Sequence, residues 1–169
     1  KNKKREIFLI KSLSREKWIQ NLKIKLQIDS LKKINQTRIL QLINKTNQMN
    51  LSTNRYSEKD LQKFFINKNY KLFSLFVSDK FGDYGLTGII SFKENKNYLE
   101  IIDFILSCRI LARDIEVKFL KKVYKLYNNN NKKFIFKFKK TSKNKPMYEF
   151  LKNSNLFNNS NKNIFVYPK

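Results

Sequence analysis

Apolar and polar positions change period along this chain, and each change marks an element. Ser14 is placed to cap a short helix through Leu22, with Trp18 and Leu22 on one face. Leu22, Ile24, Leu26 and Ile28 then alternate with Lys23, Lys25 and Gln27, a period of two that predicts a strand with one buried face. Leu31, Ile34, Leu40, Leu42 and Ile43 return to helical spacing. Ser57, followed by Glu58, Lys59 and Asp60, has the makings of an N-cap with acids in the first turn, opening a helix to about Asn67. Residues 70–77 and 86–92 predict two strands rich in apolar side chains. The connection between them spends two of the three glycines, Gly82 and Gly85, which suggests positive-φ positions in a hairpin turn.

A polar turn at 94–97 leads into residues 98–108, long and almost wholly apolar, the pattern of a central strand covered on both faces. Apolar residues at 115, 119, 120, 123, 124 and 127 make a helical stripe that the asparagines at 128–131 stop. Phe134, Phe136 and Phe138 alternate with lysines and predict a half-buried strand over 133–139. Pro146 suits the first turn of a helix reaching about Lys152, and residues 164–167 form a last short strand. The Asn/Lys runs at 128–133 and 158–163 read as low-complexity turns, and no internal repeat is visible. The predicted order is β, α, α, β, β, β, α, β, α, β.

Composition narrows the possible chemistry. With 169 residues, 41% hydrophobic and 14% aromatic, the chain can bury a substantial core despite a net charge of +24. Only six of its 37 cations are arginine, whereas specific nucleic-acid readers favour the bidentate guanidinium. That bias argues against the alternative of a basic nucleic-acid-binding module. There is no histidine, so no His-based triad, zinc site or proton shuttle exists within the chain. The single cysteine, Cys108, excludes an internal disulfide framework, fits a reducing cytoplasm, and reads as a buried strand residue rather than a nucleophile. No apolar run approaches the ~20 residues of a membrane span. Asp79 and Asp83 in the glycine turn read as Asx turns, and no metal site is expected.

One stretch resists this scheme. Residues 41–58 read Q-L-I-N-K-T-N-Q-M-N-L-S-T-N-R-Y-S-E, dense in amides and hydroxyls yet set between apolar-periodic segments. The run resembles the signature Q-L-x-x-K-T-N-Q-F-N-L-T-T-R-R of the C-terminal region of FkbH-like proteins, where it follows a HAD-type phosphatase domain. Residues 103–116, D-F-I-L-S-C-R-I-L-A-R-D-I-E, resemble that family's D-T-F-L-L-S-C-R-V-x-G-R-x-V-E. Residues 141–157 resemble its T-x-K-N-x-x-V-x-x-F-Y-x-x-L-G-F.

The resemblance, together with the element order, implies an α+β or α/β fold like that of the GNAT acyl-CoA N-acyltransferases: a mixed, mostly antiparallel sheet flanked by helices and split around its fourth predicted strand. It implies residues 1–17 as a linker from an upstream HAD-like domain and residues 18–169 as the GNAT-like domain. It further implies acetyl-CoA, another acyl-CoA or phosphopantetheine as cofactor, and a CoA thioester or acyl carrier protein as partner. In GNAT enzymes the pantetheine arm pairs with the strand before the motif loop, as an added strand would. The candidate cofactor residues are then Leu106, Ser107, Arg109, Leu111, Ala112, Arg113, Asp114 and Asn144. Ala112 and Asp114 stand where the GNAT motif R-x-x-G-x-G/A has glycines. Asp114 reads equally as a helix N-cap, and Arg109 and Arg113 as partners of acids.

Asn47, Gln48, Asn50 and Arg55 would face the acceptor, or else satisfy backbone groups across the split sheet. The tyrosine that often serves as general acid is Leu151 here, which leaves Tyr148, one turn earlier, as a substitute. Two functions follow: a domain that binds or positions an acyl or phosphopantetheinyl partner for glyceryl or acyl transfer, or an autonomous acetyl-CoA-dependent acyltransferase with an oxyanion held near Leu106 and Ser107.

Overall fold

The computed structural model describes residues 15–111, 113–127, 132–161 and 163–168. The 1–14 part of the expected linker, the Ser14 cap and Ala112 lie outside these residues. In chain order the elements are helix α1 (Arg15–Asn21), strand β1 (Lys25–Ser30), a 3₁₀ turn (Lys33–Asn35), α2 (Gln36–Lys45), β2 (Met49–Asn50), α3 (Glu58–Ile66), β3 (Tyr70–Asp79), β4 (Gly82–Glu94) and β5 (Tyr98–Leu106). A second 3₁₀ turn (Cys108–Ile110), α4 (Ile115–Tyr127), β6 (Lys133–Lys137), α5 (Lys145–Asn153), β7 (Asn158–Asn161) and β8 (Ile164–Tyr167) complete it.

The expected periods mostly become the expected elements. Ser57 caps α3 through a capping box, its hydroxyl accepting from the Asp60 N–H while the Asp60 carboxylate accepts from the Ser57 N–H. The alternation at 22–28 yields a shorter strand shifted toward the C-terminus. Leu22 is buried at the end of α1, and Lys23, at φ 52°, turns the chain before β1 begins. Two short strands depart from expectation. β2 falls inside the polar run, and β7 falls where the Asn-rich stretch suggested only a turn.

The strands join in one sheet of order β1-β3-β4-β5-β6-β8-β7. β5 and β6 run parallel; the other pairs, including β2 on β5, are antiparallel. Helices α2 and α3 cover one face through Ile39, Leu42, Ile43, Leu61 and Phe64, packed on Leu72, Ile89 and Ile105. Helices α4 and α5 cover the other through Phe119, Leu120, Val123, Met147 and Leu151, packed on Phe92, Phe104 and Phe136. β5 is therefore apolar on both faces, as its unbroken run predicts.

A bulge in β5 sets up the site. Ser91 of β4 opposes Asp103 and Phe92 opposes Ile101, which leaves Ile102 as the extra residue. Before it, Leu99 and Ile101 point into the α4/α5 core. After it the parity reverses, and Phe104 and Leu106 point there instead. Pairing of β5 with β6 ends at the same place, at Ile101 with Phe136. Beyond the bulge the two strands part, and the gap is filled by the polar run. Met49 and Asn50 pair with Leu106 and Ile105, the Leu51 N–H donates to the Phe104 carbonyl (3.1 Å), and the Leu51 carbonyl accepts from the Lys139 N–H (3.1 Å).

Candidate functional site

Two buried groups hold the polar run in the split. Asp103, re-aimed by the bulge and fully buried, accepts from Ser52 Oγ (2.7 Å), Tyr56 Oη (2.6 Å) and Ser91 Oγ (2.7 Å). Three hydroxyl donors replace the water that a buried carboxylate would lose. Burial, and then the Asp103 charge, pushes the Tyr56 phenol far above its ordinary pKa, so it stays protonated as a donor. Asn144, also fully buried, donates to the carbonyls of Asn50 (3.1 Å) and Lys139 (2.8 Å) and accepts from the Thr141 N–H (2.8 Å). It joins the start of α5 to both sides of the gap.

Asn44, Asn50 and Arg55 are likewise spent on groups of the chain itself. Asn50, fully buried, donates to the Thr46 carbonyl and accepts from the Thr53 N–H, whose residue has φ 56°. Asn44 makes a two-way bond with the backbone of Tyr56. Arg55 donates to the carbonyls of Ile43 (2.7 Å) and Thr46 (3.4 Å) and to Asn47 Oδ1, a cation closing the C-terminal end of α2.

Beside the filled split lies a cleft of about 470 Å³. Helix α2 supplies Arg38, Gln41 and Lys45 along its length; the start of the run supplies Asn47 and Gln48; and the end of β5 with its following turn supplies Leu106, Ser107, Cys108 and Arg109. Arg38, Lys45 and Arg109 are exposed, and among the described residues no acid lines the cleft. Its field therefore favours anions. Arg38 bonds Gln41 (3.2 Å), and the Arg109 backbone N–H and Nε both point at Ser107 Oγ (3.4 Å each). The Ser107 N–H is bonded to the Thr87 carbonyl (2.7 Å).

Cys108 departs from its expected place. β5 ends at Leu106, so the cysteine opens the 3₁₀ turn and lies exposed in the cleft rather than buried in the strand.

Of the candidate site residues, the cleft gathers Asn47, Gln48, Leu106, Ser107 and Arg109. The other described candidates lie elsewhere. Arg113 is buried and pairs with Asp79 (3.0 Å) while its guanidinium sits 5.0 Å above the Tyr84 ring. Burial pulls its pKa down and the Asp79 charge opposes that shift. Asp79 also accepts from the Phe81 N–H and Tyr84 Oη, and Asp83 from the Gly85 N–H, so both acids form the expected Asx turns.

Leu111 packs half-buried on the α4/α5 core. Asp114 has φ 56° just before α4, a conformation in which glycine is least strained, and its carbonyl accepts the Lys118 N–H. Tyr148 packs against Phe138 and Phe165, with ring centroids 5.4 and 6.3 Å away. Arg38, Gln41, Lys45 and Cys108 are cleft residues that no motif singled out as ligands. The helical stripe at 39, 42 and 43 could have found the first three, because it turns positions 38, 41 and 45 away from the core. Among the described residues no group of three or more acids or cysteines could hold a metal, and no helix is long and apolar enough to cross a membrane.

No protein-family description matches the chain, and no curated protein does. Solved structures do. The chain is similar to the PaiA N-acetyltransferase of Thermoplasma acidophilum, solved in complex with coenzyme A, at 14% identity over 84% of this chain and 96% of that one, with a TM-score of 0.59. It is similar to Arabidopsis thaliana NAA60 in complex with a bisubstrate analogue at 12% identity, covering 85% and 98%, with a TM-score of 0.61. Smu.2055 of Streptococcus mutans matches at 11% identity, covering 83% and 96%, with a TM-score of 0.60. The fold is the GNAT acetyltransferase fold, with a mixed, mostly antiparallel sheet flanked by helices.

Proposed function

We propose that this domain binds an acyl-thioester partner, presented on coenzyme A or on the phosphopantetheine arm of an acyl carrier protein, and positions it for acyl or glyceryl transfer. The observation that carries this reading is the cleft, where the run at 41–48 meets the S-C-R segment at 107–109 under three exposed cations. Arg38, Lys45 and Arg109 would hold phosphate oxygens, with Asn47 and Gln48 available to amide or carboxyl groups. The resemblance to FkbH-like proteins supplies the context, with the phosphatase chemistry in an upstream HAD-like domain.

Binding is favoured over transfer by what occupies the split. In GNAT enzymes the pantetheine arm lies along the strand before the motif loop. Here Met49, Asn50 and Leu51 already pair with that edge of β5, with Leu51 also bonded to Lys139 on the far side. An arm lying there as an added strand would have to displace a buried segment. Among the described residues the cleft lining also contains no carboxylate to act as general base, and the chain has no histidine.

The second reading, an autonomous acetyl-CoA-dependent acyltransferase, is favoured by the similarity in fold, over 84% of this chain, to the PaiA N-acetyltransferase structure with coenzyme A. Calorimetry with coenzyme A, acetyl-CoA, and apo and holo carrier protein tests the proposal. Binding of coenzyme A or holo carrier protein, weakened at least tenfold by Arg109→Ala, is the expected result. No binding of either removes both readings. Thiol release from acetyl-CoA on adding amine acceptors, at a rate above buffer, would replace binding by transfer.

A further inference from the structure

On the far side of the molecule from α2, helix α4 runs beside the edge strand β1. β1 pairs with β3, and on its open side the Lys122 ammonium donates to the Leu26 carbonyl (3.3 Å). Between them is a groove of about 470 Å³, floored by Leu26, Ile28 and Leu126 and rimmed by Lys122 and Lys125. It shares no residue with the cleft. Leu126 is 63% exposed, one of the few large apolar side chains left in water. Lys118, Lys121, Lys122 and Lys125 are all exposed on α4, and from Lys118 to Leu126 the helix has no acid. Their spacing of three, one and three residues gathers them on one face. An apolar trough under a row of cations is complementary to a surface with the reverse pattern: an apolar stripe flanked by carboxylates.

We propose that this groove docks an acidic amphipathic helix of a protein partner, with its apolar stripe on Leu26, Ile28 and Leu126 and its acids on the α4 lysines. The rim lysines set approach and register, and the apolar floor sets the hold. Charge tells against the chain's own N-terminal residues as the occupant, because residues 1–14 carry five cations and one acid. This inference is independent of the thioester reading, because it concerns a different surface and is tested without coenzyme A.

The test uses the full chain and two fluorescent peptides of identical Glu/Leu/Ala composition, one with the leucines at helical spacing and one scrambled. The amphipathic peptide is expected to bind at least tenfold more tightly. Leu126→Asp, at an exposed position, and the pair Lys122→Glu with Lys125→Glu should each remove that difference. The same charge change at Lys59 and Lys68, exposed elsewhere, should leave it. Equal affinity for both peptides overturns the proposal, since net charge alone then does the binding; a difference untouched by Leu126→Asp overturns it too, since the apolar stripe then sits on another surface. Binding to anionic lipid vesicles that Leu126→Asp abolishes, without a preference between the peptides, would assign the groove to a membrane surface instead.

Discussion

Residues 46–48 and 107–109 border one cleft, the first leaving α2 and the second leaving β5, yet the segments they open, to Ser57 and to Arg113, spend their polar side chains differently. In the first, Asn50, Ser52, Arg55 and Tyr56 bond to carbonyls, to Asn47 or to the buried Asp103, and among its amides only Asn47 and Gln48 reach the cleft. In the second, Ser107 and Arg113 anchor the two ends through Thr87 and Asp79, while Cys108 and Arg109 between them stay exposed. Density of polar residues therefore measures how much irregular backbone must be satisfied, and exposure between anchors marks where a ligand can be met.

The sharpest way to break this comparison is Asp103→Ala. It strips three buried hydroxyls of their acceptor, and a loss of about 3 kcal/mol or more is expected in urea unfolding. A loss below about 1 kcal/mol would mean that the run is not held by its carboxylate. Asn144→Ala, which frees the Asn50 and Lys139 carbonyls, is expected to lower stability by about 1–2 kcal/mol in the same assay. Arg109→Ala should behave oppositely, changing stability by less than about 0.5 kcal/mol while weakening coenzyme A binding about tenfold or more by calorimetry.

The smallest effect concerns acid. The Lys132 ammonium, with the Tyr127 phenol, holds the Glu94 carboxyl below its usual value against an opposing effect of burial. A depressed carboxylate stabilises the fold above its unfolded pKa and loses that contribution as pH falls through the folded one. Stability of Glu94→Gln should therefore fall less steeply below about pH 4.5 than that of the parent, as read by thermal melts across pH.

Local chemistry explains which parts of this picture were readable in the chain. The Ser57 cap, the α4 stripe and the two-sided apolar run of β5 follow from nearest neighbours and period, and they are found where expected. The β5 bulge is not marked by any turn residue. Nothing in I-I-D-F announces that Ile102 is unpaired; Asp103 in an apolar run is its only trace. β2 was missed because its partners are more than 50 residues away, so its two extended residues look locally like loop. Asn144 and Arg113 stood out as motif residues, but a motif match does not say whether an amide or a guanidinium meets a ligand or the chain's own carbonyls and acids. Cys108 was misplaced by two positions, enough to move it from strand interior to cleft wall.

The strand in the split also bears on the order in which the molecule assembles. Met49 and Asn50 gain partners only after β5 has bulged away from β6, and Leu51 needs Lys139, far along the chain. Closing so long a loop for so few contacts is unfavourable until the hairpins β3–β4 and β4–β5 exist. The run should therefore dock after the rate-limiting barrier, as the last piece to settle. Leu51→Ala is expected to raise the unfolding rate in stopped-flow kinetics and leave the refolding rate nearly unchanged. By microscopic reversibility a segment that docks last would also detach first, so 49–51 is where this sheet is expected to open.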